Sequence, residues 1–363
     1  MKASLRWREG IMPGELMAEE IAAQPATLAN SLAAGRADAE RIAAALRGRW
    51  GEIAFVLIAA RGTSDNAARY AQYLFGAANR LPVALATPSL FTLYGTPPDL
   101  RRALTIGISQ SGASPDIVAT IAEARRQGAP TLAITNEPDS PLGQAAEFVL
   151  PIRAGAERSV AATKTYSAQL LALAMLAAAL TTGDDAARRW DELAAIPEAV
   201  GATVALAAEI AVRTERYRYL DRVITGGRGY CYGTAFEIAL KLKETCYLLA
   251  EPYSPPDFLH GPVAIVDDGF PALLVAPSGA TFDGMLEFAR TLRERGAELL
   301  IVSDRDEALE LAATPLRLPA GVPEWLAPLP AVVPGQLLAL SLARIKGYDP
   351  DQPRGLSKVT LTR

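Results

Sequence analysis

Cysteine, histidine and lysine are all scarce in this chain. Its 363 residues include two cysteines, Cys231 and Cys246, and a single histidine, His260. Two cysteines cannot build a disulfide framework or a Cys-rich zinc site, and one imidazole excludes any metal centre made from several. No metal and no cofactor are expected. Long apolar runs are missing too. The longest, 170–180, falls short of the ~20 residues a membrane span needs and reads as a buried helix. The opening MKASLRWREG lacks the apolar stretch of a signal peptide, so the expected location is cytoplasmic and no membrane partner is expected. Nor is there a basic excess. With 36 Lys and Arg against 40 Asp and Glu the net charge is −4, which argues against a nucleic-acid partner.

Lysine is the least expected shortage. Only Lys2, Lys164, Lys241, Lys243, Lys346 and Lys358 occur among the 36 basic residues. Where a plain positive charge suffices the chain uses arginine. A retained lysine is then a candidate for amine chemistry, since only its amine readily loses a proton or forms a Schiff base. Survival by chance in an arginine-rich composition is the competing explanation. What is abundant is apolar: 50% of residues, against 21% charged, which excludes a disordered chain. The length suits two domains rather than one core.

Those two domains are visible as a repeat. IAFVLIAARG ends at Gly62 and DRVITGGRG ends at Gly229, 167 residues on. ALTIGISQSGAS matches ALLVAPSGAT, placing Gly112 against Gly279 at the same offset. ARRQGAPTLAITN matches TLRERGAELLIVSD, with Gly128 against Gly296. Each repeat reads strand, helix, strand, helix, strand, and its strands are continuous apolar runs suited to a parallel sheet covered on both faces. The expected fold class is α/β, with two doubly wound, flavodoxin-like parallel sheets in tandem and ligands at the carboxyl ends of the strands. The expected divisions are an N-terminal helical segment (1–50), a first domain (51–183), a helical connector (184–218), a second domain (219–345) and a tail (346–363) with little regular structure.

Two loops of the first repeat could hold an anion. Ser109-Gln110-Ser111-Gly112-Ala113-Ser114 follows a buried strand and precedes Pro115, a suitable first helical residue. Free backbone N–H groups and a helix dipole favour negative charge there. Arg61-Gly62-Thr63-Ser64 is a second such loop at the same sheet edge. Helix capping alone would explain some of these hydroxyls, Ser64 in particular. The second repeat is an internal control: its loop, 276–281, keeps the turn but lacks counterparts of Ser109 and Gln110. No Walker-type or GxGxxG loop is present, which favours a sugar phosphate over a nucleotide.

A predicted helix over 234–250 places Glu237, Lys241 and Glu244 on one face, with Ile238, Leu242 and Leu249 on the adjoining face toward the core. Such a stripe is ordinarily a solvated row of i,i+4 pairs, yet this helix follows a glycine turn at a strand end, where active sites gather. His260 lies in a Gly-Pro loop typical of surface residues, although its pKa range suits proton shuttling. Lys358 closes the run Arg354-Gly355-Leu356-Ser357-Lys358 in the tail.

Taken together, MAEEIAAQP at 17–25, RGTSDNA, ISQSGAS, SVAATKTYSAQL, EIALKLKE, HGPVAIVD and DQPRGLSKVTLT make the chain resemble the sugar isomerase (SIS) family. The resemblance runs through nearly the whole chain. It is strongest to the tandem isomerase half of glutamine:fructose-6-phosphate amidotransferase and to deaminase-like relatives. It implies that Thr63, Ser64, Ser109, Gln110, Ser111 and Ser114 bind the sugar phosphate, with Val160 lining the sugar through its backbone. Glu244 is then the base moving a proton between carbons 1 and 2, supported by Lys241 and Glu237. His260 is the ring-opening acid/base, contributed by the neighbouring subunit of a homodimer. Lys358 reaches the sugar carbonyl, as a cation or as a Schiff base. SVAATK carries Ala162 where VAST is commoner.

The sequence has no amino-terminal cysteine nucleophile of the kind a glutaminase domain carries, so free ammonia is the expected substrate or product. The expected reaction converts glucosamine 6-phosphate and water to fructose 6-phosphate and ammonia through an enolamine. The alternatives are a deaminase for another amino sugar or fructosamine phosphate, a phosphoglucose/phosphomannose isomerase, and a non-catalytic sugar-phosphate sensor.

Overall fold

The computed structural model describes residues 13–358. Lys2, residues 1–12 of the N-terminal segment and residues 359–363 of the tail lie outside the described residues. Two five-stranded parallel sheets organise the rest. The first contains β1 (Phe55–Ala59), β2 (Val83–Leu85), β3 (Ala103–Ile108), β4 (Thr131–Thr135) and β5 (Phe148–Pro151), in the order β2-β1-β3-β4-β5. The second contains β6 (Arg222–Gly226), β7 (Leu249–Tyr253), β8 (Pro271–Val275), β9 (Glu298–Ser303) and β10 (Thr314–Arg317), in the order β7-β6-β8-β9-β10. Both orders are 2-1-3-4-5 within their own repeat, the flavodoxin-like winding. The chain therefore reverses direction beside the first strand of each repeat and opens a crevice there.

The repeat read from sequence survives as geometry. Gly62 and Gly229, Gly112 and Gly279, and Gly128 and Gly296 all have positive φ, so both sheets make their corresponding turns with backbone that L-residues rarely adopt. Each sheet has five strands where the continuous apolar runs mark only three. The additional pairs, β2 and β5, then β7 and β10, are the sheet edges and are only partly buried.

A second correction concerns the helix expected over 234–250. It spans Tyr232–Cys246 and is closed by Tyr247 in the left-handed region, φ 57°. Leu249 consequently begins β7, 75% exposed, instead of packing into the core.

Two helices fill the centre. Lys164–Leu180, which contains the apolar run 170–180, is buried at every position from Thr165 to Leu180. Pro328–Ile345 is similarly enclosed; by length and composition the stretch Glu324–Ile345 could cross a membrane, but here it is buried inside the fold from Trp325 to Ala343. An all-round apolar helix is stable only under such cover. Gln24–Arg47 packs against Lys164–Leu180, and the connector helices Ile196–Val204 and Ala207–Thr214 pack against Pro328–Ile345.

The two repeats meet where helix Thr63–Asn79 lies against helix Tyr232–Cys246. Gly233 permits the approach: a Cβ there would stand 2.5 Å from the Asn66 carbonyl oxygen. The first turn of one repeat's leading helix is thereby pressed against the acidic and basic face of the other's.

Candidate active site

Both anion loops sit at the carboxyl edge of the first sheet, on the neighbouring strands β1 and β3. In the second of them, Ser109 Oγ accepts from the Gly112 N–H at 3.1 Å and Ser111 Oγ accepts from the Ala113 N–H at 3.3 Å. The Gln110 carbonyl accepts from Thr135 Oγ1 and from the Asn136 N–H. Helix Pro115–Arg126 starts immediately afterwards, with proline at its first position. Ser114 occupies the N-cap, yet its hydroxyl makes no capping bond.

Ser64 is not a cap either. Gly62 holds the N-cap position of helix Thr63–Asn79, and Ser64 is buried in the first turn, accepting from Gln169 Nε2 at 2.9 Å. Arg61 Nε donates to the fully buried Asp116 Oδ2 at 2.8 Å, tying one loop to the helix that follows the other. Two helix amino termini with hydroxyls available to donate form a suitable receptor for a phosphate dianion.

Glu237, Lys241 and Glu244 are not a solvated row. Glu237 and Lys241 are fully buried, and the Glu244 side chain is 24% exposed. Lys241 Nζ lies 2.6 Å from Glu244 Oε2, 3.4 Å from Glu237 Oε1 and 3.2 Å from Thr63 Oγ1. Glu237 in turn accepts from Thr63 Oγ1 at 3.1 Å and from Asn66 Nδ2 at 2.8 Å. Thr63 belongs to the first repeat's anion loop, so Glu244 and that loop are two hydrogen bonds apart. Asn66 is a residue that sequence reasoning missed, although it stands inside RGTSDNA.

Burial pushes the Glu237 carboxyl up to about 7, against the opposing pull of Lys241 and the hydrogen bond from Asn66. Burial works to lower the Lys241 amine, but the two carboxylates outweigh it and push it up, so it remains an ammonium. The ammonium's short contact is to Glu244, which stays accessible to a ligand while its partner is locked in place. A pH effect follows. Glu237 binds its proton more tightly folded than unfolded, where 4.5 is the ordinary value. Its stabilising contribution is complete below 4.5 and is lost as pH rises through about 7. Glu237→Gln should flatten that decline in unfolding experiments run across the window.

The other expected site residues are placed as follows. Val160 is half-buried in the loop leading to helix Lys164–Leu180, and its peptide groups make no hydrogen bond among the described residues. Ala162, partly buried on the same loop, offers no side-chain hydroxyl. Lys358 Nζ donates to Glu157 Oε2 and to the Ser159 carbonyl, both at 2.7 Å. His260 is exposed at the C-cap of the short helix Pro255–Leu259 and, among the described residues, is bonded to none of the other site residues. Glu157 was not foreseen. It is a buried acid in a loop, without the spacing or periodicity that would single it out.

The second repeat's corresponding loop is occupied by its own chain. Glu324 accepts from the N–H groups of Ala280 and Thr281 and from Thr281 Oγ1, at 2.9, 3.2 and 3.1 Å. A carboxylate thus sits where the first repeat leaves donors available.

Comparison with known proteins identifies the family. The family model for the SIS domain matches twice, over residues 55–179 and 218–344. The chain belongs to the SIS domain family. Glutamine–fructose-6-phosphate aminotransferase [isomerizing] of Mycobacterium tuberculosis is 36% identical over 360 residues, covering 94% of this chain and 57% of that protein. The chain thus spans little more than half the length of such relatives. The C-terminal domain of glucosamine-fructose-6-phosphate aminotransferase from Francisella tularensis superposes with a TM-score of 0.84 at 29% identity, covering 96% of this SIS chain and 100% of that domain. Glucosamine-6-phosphate deaminase from Thermotoga maritima shares the fold, with a TM-score of 0.68 at 21% identity, over 93% of this chain and 100% of its own. The similarity is therefore to the isomerising part of sugar-phosphate enzymes.

Proposed function

We propose that this SIS protein is an aldose–ketose isomerase that deaminates an amino-sugar phosphate, with glucosamine 6-phosphate and water giving fructose 6-phosphate and ammonia. The observation that carries the reading is the Lys241 ammonium, which joins Glu244 to Thr63 and so fixes a carboxylate beside the anion loops of the other repeat. The phosphate binds on Ser64, Ser109, Gln110, Ser111 and Ser114. Glu244 removes the proton from carbon 2 of the open-chain sugar, forming an enolamine, and returns it to carbon 1. The product is an imine at carbon 2. Water adds to that carbon, ammonia leaves and the ketose remains. Lys358, entering from the tail, engages the sugar carbonyl. Much of the rate comes from holding carbon 2 against the carboxylate.

Neither cysteine suits glutamine hydrolysis. Both are buried, and burial pushes the Cys246 thiol up to about 12 and the Cys231 thiol higher still. Free ammonia is the nitrogen species this reading proposes. The experiment that tests it is ammonia release and ketose formation measured over a panel of hexose and amino-hexose phosphates. Turnover of glucosamine 6-phosphate is the expected result. Isomerisation of unaminated hexose phosphates alone would favour the phosphoglucose or phosphomannose alternative, and tight binding without turnover would mark a sensor.

Ring opening is assigned to His260 of a second copy. The imidazole is exposed, as are its neighbours Leu259 and Ile265, at 46% and 51%. In a two-fold dimer each site would combine Glu244 of one subunit with His260 of the other. His260→Ala and Glu244→Gln should each be inactive alone. Mixed and allowed to exchange subunits, they should recover about a quarter of wild-type activity, since half of the dimers would carry one intact site. No recovery, with exchange verified, would place His260 elsewhere.

A further inference from the structure

Glu157 has no part in the chemistry just described, yet it is the most completely bonded acid near the site. Its side chain is 0% exposed. One oxygen, Oε1, accepts from the N–H groups of Thr163 and Thr165 at 2.9 and 3.1 Å, at the start of helix Lys164–Leu180. The other, Oε2, accepts from Thr165 Oγ1 at 2.7 Å and from Lys358 Nζ at 2.7 Å. Burial acts to raise this carboxyl, but Lys358 and the peptide donors outweigh it and hold it below the ordinary carboxylate range.

The loop beyond it is pinned from the opposite side. Glu20 accepts from the Arg158 and Ser159 N–H groups, which turns the Ser159 carbonyl toward Lys358. Glu20 lies in the MAEEIAAQP segment.

The rest of the tail is fastened in series. Asp349 accepts from the Gly14 N–H, and Asp351 from those of Leu16 and Met17. The Arg354 N–H donates to the Tyr247 hydroxyl, while its guanidinium lies 3.7 Å from that ring's centroid. Tyr247 ends the helix that carries Glu244. Between 346 and 358 there is no helix or strand to hold the tail rigid, so its course depends on these attachments.

We propose that Glu157 is the positioning residue for Lys358: a buried carboxylate prebuilt in the first domain that seats the tail lysine's ammonium beside the Val160 loop and so closes the tail over the sugar site. The role of Lys358 rests on the functional reading above; the seating itself does not. A carboxylate does more than the neutral Ser159 carbonyl, which accepts from the same ammonium at the same 2.7 Å, because it sets a full opposite charge against a half-enclosed cation. Glu157 also caps a helix, and the two roles belong to different oxygens. Glu157→Gln can keep its amide oxygen at the Oε1 position for the peptide donors. Its NH2 then faces Lys358, which loses its charged acceptor and keeps only the Ser159 carbonyl.

The scarcity of lysine makes the test clean. Trace acetylation of the full chain, read by mass spectrometry, gives the reactivity of Lys358 relative to the exposed Lys243. Glu157→Gln should raise that ratio about tenfold, as expected for loss of one charge-assisted bond. An unchanged ratio would overturn the proposal, since helix capping alone does not protect Lys358. Should Glu157→Gln fail to fold, Lys358→Met supplies the second arm without disturbing the cap. Amide exchange in 349–357 should then quicken; exchange at the wild-type rate would equally overturn it. With glucosamine 6-phosphate as substrate, Glu157→Gln should lower kcat/KM about tenfold and have no further effect in a Lys358→Met background. Failure of the wild-type chain to turn over any amino-sugar phosphate would remove the functional reading, with the acetylation and exchange outcomes still deciding the seating.

Discussion

Glu244→Gln should lower turnover of glucosamine 6-phosphate by about 10²- to 10⁴-fold, the usual contribution of a positioned general base. The substitution is nearly isosteric. Glutamine can still accept from Lys241 Nζ through its amide oxygen, so the contact at 2.6 Å keeps its geometry. What disappears is basicity. Affinity for an unreactive hexitol 6-phosphate should therefore change only a few-fold, because the proposed phosphate site lies on the other repeat's loops. Turnover measured with ammonia release and affinity measured by calorimetry separate the two effects. A loss of affinity matching the loss of turnover would show that Glu244 holds the substrate rather than reacting with it.

The second large effect is on stability. Lys241→Met should destabilise the fold by about 3–5 kcal/mol, the range found when one partner of a buried ion pair is removed. The lysine side chain is 1% exposed and stands between two carboxylates, one of them wholly buried. Methionine matches its length but leaves Glu237 with only Asn66 and Thr63 as partners. Glu237 would then have to take a proton to remain inside. Adding Glu237→Gln to Lys241→Met should recover part of the loss, since it removes the stranded charge. Urea unfolding of the single and double variants measures this directly. Equal stability of Lys241→Met and wild type would mean that the ion pair is not buried in solution.

Much of the architecture was legible because it is written twice. Glycine turns at 62 and 229, 112 and 279, and 128 and 296 recur with positive φ, and no side chain substitutes easily there. The central strands are legible because burial on both faces demands unbroken apolar runs. The edge strands are not: β7 reads LAEPY, with an acid and a proline among its five residues. The end of helix Tyr232–Cys246 was hidden for a related reason. Tyr247 makes the left-handed closing turn where glycine would have announced it, so the helical pattern of the sequence runs on through Leu249.

The candidate site divides in the same way. Hydroxyls clustered at strand ends, and three charges on one helical face, are local patterns that one sequence displays. Asn66 and Glu157 depend on partners 171 and 201 residues away in the chain. No local pattern carries that information. The internal repeat helped in one further respect. It showed that 276–281 lacks counterparts of Ser109 and Gln110, and the structure supplies the complement, a Glu324 carboxylate bonded to that loop.

A structure with a bound amino-hexitol 6-phosphate tests the central claim most directly. The account predicts the phosphate on 109–114 and Ser64, and carbons 1 and 2 within about 3.5 Å of the Glu244 carboxylate, the separation of a near-attack arrangement. A phosphate bound on 278–281, or a carbon chain directed away from Glu244, would contradict it.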